Sequence, residues 1–150
     1  MPAYEERLLA VLKRADQASQ AAKERAVRAV GLTTAQYNVL LVLEHHSGIT
    51  SSELARRCQV TAQTMSSVLA RLVERGLVAR SPHPRHPGVV ETTVTVEGRL
   101  AYAAADVRVR RVEAALAGAL DPIEQQQLRD LLARCTAAAL TADPDAVHQR

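Results

Sequence analysis

The sequence predicts a mainly α-helical fold carrying one small β-hairpin, and three observations carry that expectation. A helix-start signal recurs three times between residues 32 and 65. Extended, β-branched residues flank a Pro/Gly-rich loop, S-P-H-P-R-H-P-G, at residues 81–88. Long stretches at both ends repeat apolar residues every three or four positions, the period of a helix with one buried stripe.

Residues 4–29 read as one long helix, with Leu8, Leu12, Ala15, Ser19, Ala22 and Ala26 in steps of four and three. That heptad-like seam suits a partner helix. In L-T-T-A-Q-Y, Thr33 caps a helix, Gln36 reaches back and Leu32 packs on Tyr37. This second helix covers 34–46, and Ser47-Gly48 ends it. In I-T-S-S-E-L, Thr50 caps, Glu53 closes the box and Ile49 staples to Leu54, starting a third helix over 51–58. In V-T-A-Q-T-M, Thr61 caps and Val60 staples to Met65, starting a fourth over 62–75 that Gly76 closes. Each pattern satisfies orphan N–H groups at a helix start and fixes the entry angle of the chain. Three starts so close together imply short helices joined by tight turns.

Leu77 to Arg80 and V-V-E-T-T-V-T-V then form the two arms of the hairpin, whose loop is too long for a tight turn and projects. Residues 96–119 return to helix through Leu100, Ala103, Val107, Val109, Val112 and Leu116. Asp121, Pro122 and Glu124 start a last helix as cap, first residue and third residue. Its apolar stripe is Leu128, Leu131, Leu132, Cys135 and Ala139, and residues 143–150 form a flexible tail.

At 150 residues the chain predicts one domain with helical extensions. Phe and Trp are absent and only three Tyr are present, so Leu, Val and Ala must fill the core and the helices must lie close together. No apolar run approaches a membrane span. The N-terminus carries acids before its apolar residues and lacks a secretory pattern. Cys58 and Cys135 form no CxxC or zinc spacing, which fits a reducing cytoplasm and buried structural thiols. No GxSxG, P-loop or HExxH occurs, and no paired carboxylates lie beside a His at catalytic spacing, so no catalytic residue and no cofactor are expected. His83 and His86 in the loop, and His45-His46, have no Cys or carboxylate at ligand spacing, so no metal site is expected.

The charge distribution is more informative than its sum of +3. Between Leu54 and Val90 lie Arg56, Arg57, Arg71, Arg75, Arg80 and Arg85 against the single acid Glu74, giving +5, so the rest of the chain sums to 3 − 5 = −2. A basic middle between neutral or acidic flanks is a footprint for a polyanion. On the fourth helix Met65, Val68, Leu69, Leu72 and Val73 gather on one side. Opposite lie Gln63, Ser67, Ala70, Glu74 and Arg71, with Thr64 and Ser66 at the margins. Ser and Thr are poor furniture for an ordinary exposed helix. They suit the floor of a major groove, where short side chains allow close approach and Gln pairs with adenine edges. The turn R-R-C-Q-V sets the third and fourth helices at a steep angle, as in a helix–turn–helix.

The segment ITSSELARRCQVTAQTMSSVLARLVERGLVARSP, with TTVTVEGR, resembles the winged helix–turn–helix of the MarR family of bacterial regulators. LTTAQYNVLLVLE is similar to the preceding helix of that family, and the flanking helices follow its order over nearly the whole chain. The resemblance implies a homodimeric repressor, released by an unknown small-molecule effector and acting on a pseudo-palindromic operator in double-stranded DNA. Residues 1–31 and 96–142 would form the dimerisation region, with Leu8, Leu12, Leu128, Leu131 and Leu132 at its interface, and 32–95 the DNA-binding lobe. Thr61, Gln63, Thr64, Ser66, Ser67 and Arg71 would belong to the recognition helix. Arg56, Arg57, Arg80 and Arg85 would hold the backbone and carry the wing, and Tyr37 would line the effector pocket. One departure stands out: the family's wing commonly braces an arginine with an Asp, and here His86 takes the Asp position while Arg85 is the only cation near the tip. Two alternatives remain open: an architectural or protein-interaction module with weak sequence preference, or a metal- or redox-responsive variant of the regulator.

Overall fold

The computed structural model describes residues 3–142. Its elements run in the expected order: a 3-10 turn Tyr4–Glu6, then α1 Leu8–Arg28, α2 Thr34–His45, α3 Ser51–Cys58, α4 Ala62–Glu74, β1 Val78–Pro82, β2 Val90–Val94, α5 Val96–Gly118 and α6 Pro122–Thr141. The chain forms two compact units, one up to Val112 and one from Glu113. The expected tail, 143–150, lies outside the described residues.

The first helix departs from the expectation of a single run from residue 4. Arg7 is extended, at φ −66° and ψ 135°. Arg14 Nη2 donates at 3.0 Å to the Glu5 carbonyl, the acceptor a continuous helix would use for a backbone N–H one turn on. The three helix-start signals act largely as read. Thr33, Thr50 and Thr61 accept from the N–H groups of Gln36, Glu53 and Thr64 at 3.1, 3.2 and 3.1 Å. Gln36 completes its box by accepting from the Thr33 N–H at 3.0 Å. Glu53 does not. Its carboxylate takes Arg56 and Arg57 instead, at 2.7 to 2.9 Å, because charge-assisted bonds outcompete a neutral N–H.

The core of the first unit packs Val27, Leu32, Leu40, Leu43, Leu54, Met65, Leu69 and Leu72. Tyr37 stacks on Tyr102 with ring centroids 5.8 Å apart. Of the fourth helix's expected apolar side, Met65, Leu69 and Leu72 are buried while Val73 is 44% exposed.

The hairpin is antiparallel, with Val78 opposite Val94 and Pro82 opposite Val90. Its first arm therefore continues through Ser81 and Pro82, two residues expected in the loop; Pro82 is tolerated because a two-stranded ribbon leaves edges on which no N–H is required. The Thr92 N–H donates to the Ile49 carbonyl at 2.9 Å, tying the second arm to the α2–α3 turn. Thr95 caps α5 by accepting from the Gly98 N–H at 3.0 Å, and its hydroxyl donates to the Gly76 carbonyl at 2.7 Å. A Cβ on Gly98 would overlap the Leu77 carbonyl, so α5 starts flush against the α4–β1 turn only because residue 98 is Gly.

In the second unit, Asp121 and Glu124 form the expected capping box at 2.8 and 2.9 Å. Gln125 Nε2 donates to the carbonyls of Ala117 and Leu120, closing the α5–α6 turn. No residue of α6 is buried. Cys135, expected to be a buried thiol, is accordingly exposed with the rest of the α6 stripe; Cys58 packs against the core as expected. No helix among the described residues is long and apolar enough to cross a membrane.

Candidate nucleic-acid interface

The α3–α4 turn is built by a left-handed residue. Gln59 sits at φ 55° and ψ 43°. The Val60 N–H donates to the Ala55 carbonyl at 3.0 Å and the Gln59 N–H to Arg56 at 3.3 Å. This is a Schellman closure, which reverses the chain in the fewest residues and buries the following apolar side chain. Gly31 and Gly76 make the same closure after α1 and α4. Gln59 does it without the glycine, so no sequence signal marked the geometry of this turn.

α4 leaves the turn with Thr61 as cap. Met65, Leu69 and Leu72 face the core, which turns Gln63, Thr64, Ser66, Ser67, Ala70 and Arg71 outward, all exposed. Thr61 is already committed: its oxygen accepts the Thr64 N–H, and its hydroxyl donates to Thr64 Oγ1 at 2.9 Å. With the Thr64 N–H spent on the cap, the N–H groups of Ala62 and Gln63 remain available to an anion. Arg71 pairs with no acid among the described residues. At the far end of α4, Arg75 donates to the Gly31 carbonyl at 2.9 Å and to Gln36 Oε1 at 3.1 Å, locking α4 to the α1–α2 turn. Arg75 thus contributes to the sequence's positive charge but is spent on structure.

The backbone arginines are less free than their sequence implies. Glu53 lies one residue outside the +5 segment and holds both Arg56 and Arg57. The hydrogen bond from Arg56, with help from Arg57, holds the Glu53 carboxyl down at about 2 despite some desolvation. Arg57 also lies 3.1 Å from His46 Nε2. Arg80 donates to Ser51 Oγ at 3.0 Å, bracing the wing on the start of α3. Arg85 is exposed at the wing tip with no acidic partner among the described residues. The loop around it is closed by the His83 N–H donating to the Val89 carbonyl at 2.8 Å. Pro87 and Gly88, the latter at φ 83°, form the turn, the order a type II turn demands.

Tyr37 is 2% exposed, and its hydroxyl donates to Asp106 Oδ1 at 2.9 Å. Burial pushes the Asp106 carboxyl up, but the bonds from Tyr37 and Arg110 outweigh it and leave it below its ordinary value. Lys23 lies 5.2 Å from the Tyr37 ring centre and donates to Asn38 Oδ1 at 2.8 Å. Beside this cluster a cavity of about 210 Å³ is lined by Thr34, Asn38, Cys58, Val60, Met65 and Val68, among others. Tyr37 itself does not line it. Among the described residues no group of three or more His, Cys, Asp or Glu side chains is placed to hold a metal.

The model of the MarR family matches residues 30–86. The HTH-type transcriptional repressor Rv2887 of Mycobacterium tuberculosis is 32% identical over 107 residues, 71% of this chain and 77% of that protein. The transcriptional repressor CouR, solved bound to a 23-mer DNA duplex, superposes with a TM-score of 0.80 at 29% identity, over 91% of this chain and 98% of that one. Rv2887 solved with salicylic acid superposes with a TM-score of 0.68 at 28% identity, over 89% and 99% of the two chains.

Proposed function

The chain belongs to the MarR family, and from that premise we propose that it is a transcriptional repressor that reads a specific double-stranded DNA site as a homodimer. It is not an enzyme, since the family's members are DNA-binding regulators. The observation that carries the reading is the exposed Gln63, Ser66 and Ser67 surface of α4, with the open Ala62 and Gln63 N–H groups at its start and Arg71, which pairs with no acid among the described residues, further along. Amide and hydroxyl groups on a helix narrow enough for the major groove supply base readout, while Arg71 and the N-terminal N–H groups hold phosphate. Thr64 adds a hydroxyl to the base-reading set, and Thr61 works through the cap. Arg80 and Arg85 carry the wing, and Arg56 and Arg57 add phosphate contacts weakened by Glu53.

The dimer is supported by apolar side chains left exposed among the described residues. Leu8 is 73% exposed on α1, and Leu128, Leu131 and Leu132 are 45%, 53% and 42% exposed on α6. Leu12 lies half-buried on the same side of α1 as Leu8. A soluble chain does not leave stripes of this size open without a partner surface. Two copies present two recognition helices, so the operator is pseudo-palindromic, with half-sites about 10 base pairs apart or a multiple of that.

Effector release is the regulatory half of the reading. A relative at 28% identity was solved with salicylic acid. Here Lys23 of α1 meets Tyr37 and Asn38 of α2, where the first helix joins the lobe, and the Lys23 ammonium suits the carboxylate of a small aromatic acid. An acid preferring the lobe spacing that does not match DNA would lower affinity by its differential binding. The protein would act in the cytoplasm. Selection of bound duplexes from a random pool tests the core of the proposal: an inverted repeat supports it, and a pool without enriched sequence favours the architectural alternative.

A further inference from the structure

We propose that His83 is the positioning residue of the wing tip and that it works as a neutral ring carrying its proton on Nε2. The Arg85 backbone N–H donates to His83 Nδ1 at 3.0 Å. A ring nitrogen that accepts carries no proton, so the neutral ring's proton sits on Nε2. That atom lies 3.1 Å from Glu91 Oε1 on the second arm of the hairpin. One side chain thus ties the residue two ahead of it in the loop to the strand across the sheet.

The surroundings fix the ring in that role. His83 and Glu91 are largely covered, with side chains 21% and 20% exposed, although the loop around them is open. The His86 ring packs on His83 with centroids 4.5 Å apart. The Glu91 carboxylate also lies 3.3 Å from where a Cβ on Gly48 would stand, so the strap rests on the turn between α2 and α3. The His83 N–H is spent on the Val89 carbonyl. Main chain and side chain of one residue therefore set the path of the loop that presents Arg85. The acceptor bond spans i to i+2, the pattern by which Asn and Asp organise turns. Asn at 83 should therefore keep what matters, and Leu should lose it.

The proposal rests on the reading that Arg85 touches DNA, and the test separates the two. Wild type, His83→Leu, His83→Asn, Arg85→Ala and the His83→Leu/Arg85→Ala double variant are compared by anisotropy on the selected duplex, with folding checked by circular dichroism. Arg85→Ala is expected to weaken binding roughly tenfold. His83→Leu should weaken it three- to fivefold, His83→Asn should recover most of that, and the double variant should bind like Arg85→Ala alone. Additive losses, a silent His83→Leu, or an Asn variant as weak as Leu each overturn the proposal. Nitrogen-15 NMR of the free protein reads the ring directly: the Nε2–H tautomer supports the strap and the Nδ1–H tautomer overturns it. A silent Arg85→Ala beside an Nε2–H tautomer means that the DNA role of Arg85 fails while the strap stands.

Discussion

Glu53 accepts two hydrogen bonds from Arg56, at 2.9 and 2.7 Å, on α3, the helix that precedes α4. The pair is exposed, so it adds little to stability. Its larger effect is to cancel positive charge beside the proposed DNA surface. Glu53→Gln is expected to tighten binding to specific and random duplexes alike, by roughly threefold at low salt, and to steepen the salt dependence. Titration of the affinity against salt concentration checks this, and a variant with unchanged slope would leave Arg56 and Arg57 without a phosphate role.

Gln63 and Arg71 are expected to fail in different ways. Gln63→Ala should cost about 1–3 kcal/mol on the preferred site and relax preference at one base pair while leaving random DNA untouched. Arg71→Ala should weaken every duplex and reduce the salt slope by about one. Parallel titrations on a matched and a singly mismatched duplex separate the two.

The left-handed Gln59, at φ 55°, carries a backbone strain that glycine does not. Gln59→Gly should stabilise the fold by about 1 kcal/mol in denaturant melts, since the gain in αL outweighs the added freedom of the unfolded chain. A loss of stability would mean that the Gln59 side chain supports the turn in some other way.

Gly98 has the opposite prospect. Its missing Cβ makes room for the Leu77 carbonyl, which is backbone and cannot swing aside. Gly98→Ala should cost about 3 kcal/mol, at the upper end for overpacking, and should lower the thermal midpoint without changing DNA preference.

Thr92 is fully buried, and its hydroxyl has no hydrogen-bond partner among the described residues. An unpaired buried hydroxyl is a cost that an apolar isostere removes. Thr92→Val should raise stability by about 1 kcal/mol, read as a shift of the denaturant midpoint at constant slope.

The order of elements was legible because helix starts are written locally. Thr33, Thr50, Thr61 and Asp121 each cap a helix within one or two residues of the expected boundary. The exposed face of α4 was legible too, because Met65, Leu69 and Leu72 fix its rotation. What local pattern does not encode is competition between partners. Glu53 had two possible claims on it and the arginines won. Arg75 and Arg80 read as free charge but satisfy Gln36, Gly31 and Ser51 across sequence separations of 29 to 44 residues. Thr95 was missed as a cap because the strand before it masks the boundary. The Gln59 turn was hidden because its conformation usually announces itself with glycine.

The measurement that tests the account most directly is the affinity of the purified protein for the duplex upstream of its own coding sequence, against a scrambled duplex of the same composition, at two salt concentrations. A specific repressor prefers the native duplex by about a thousandfold, and the preference persists as salt rises. Equal binding to both duplexes, fading together with salt, would contradict base readout by α4 and leave only the electrostatic footprint.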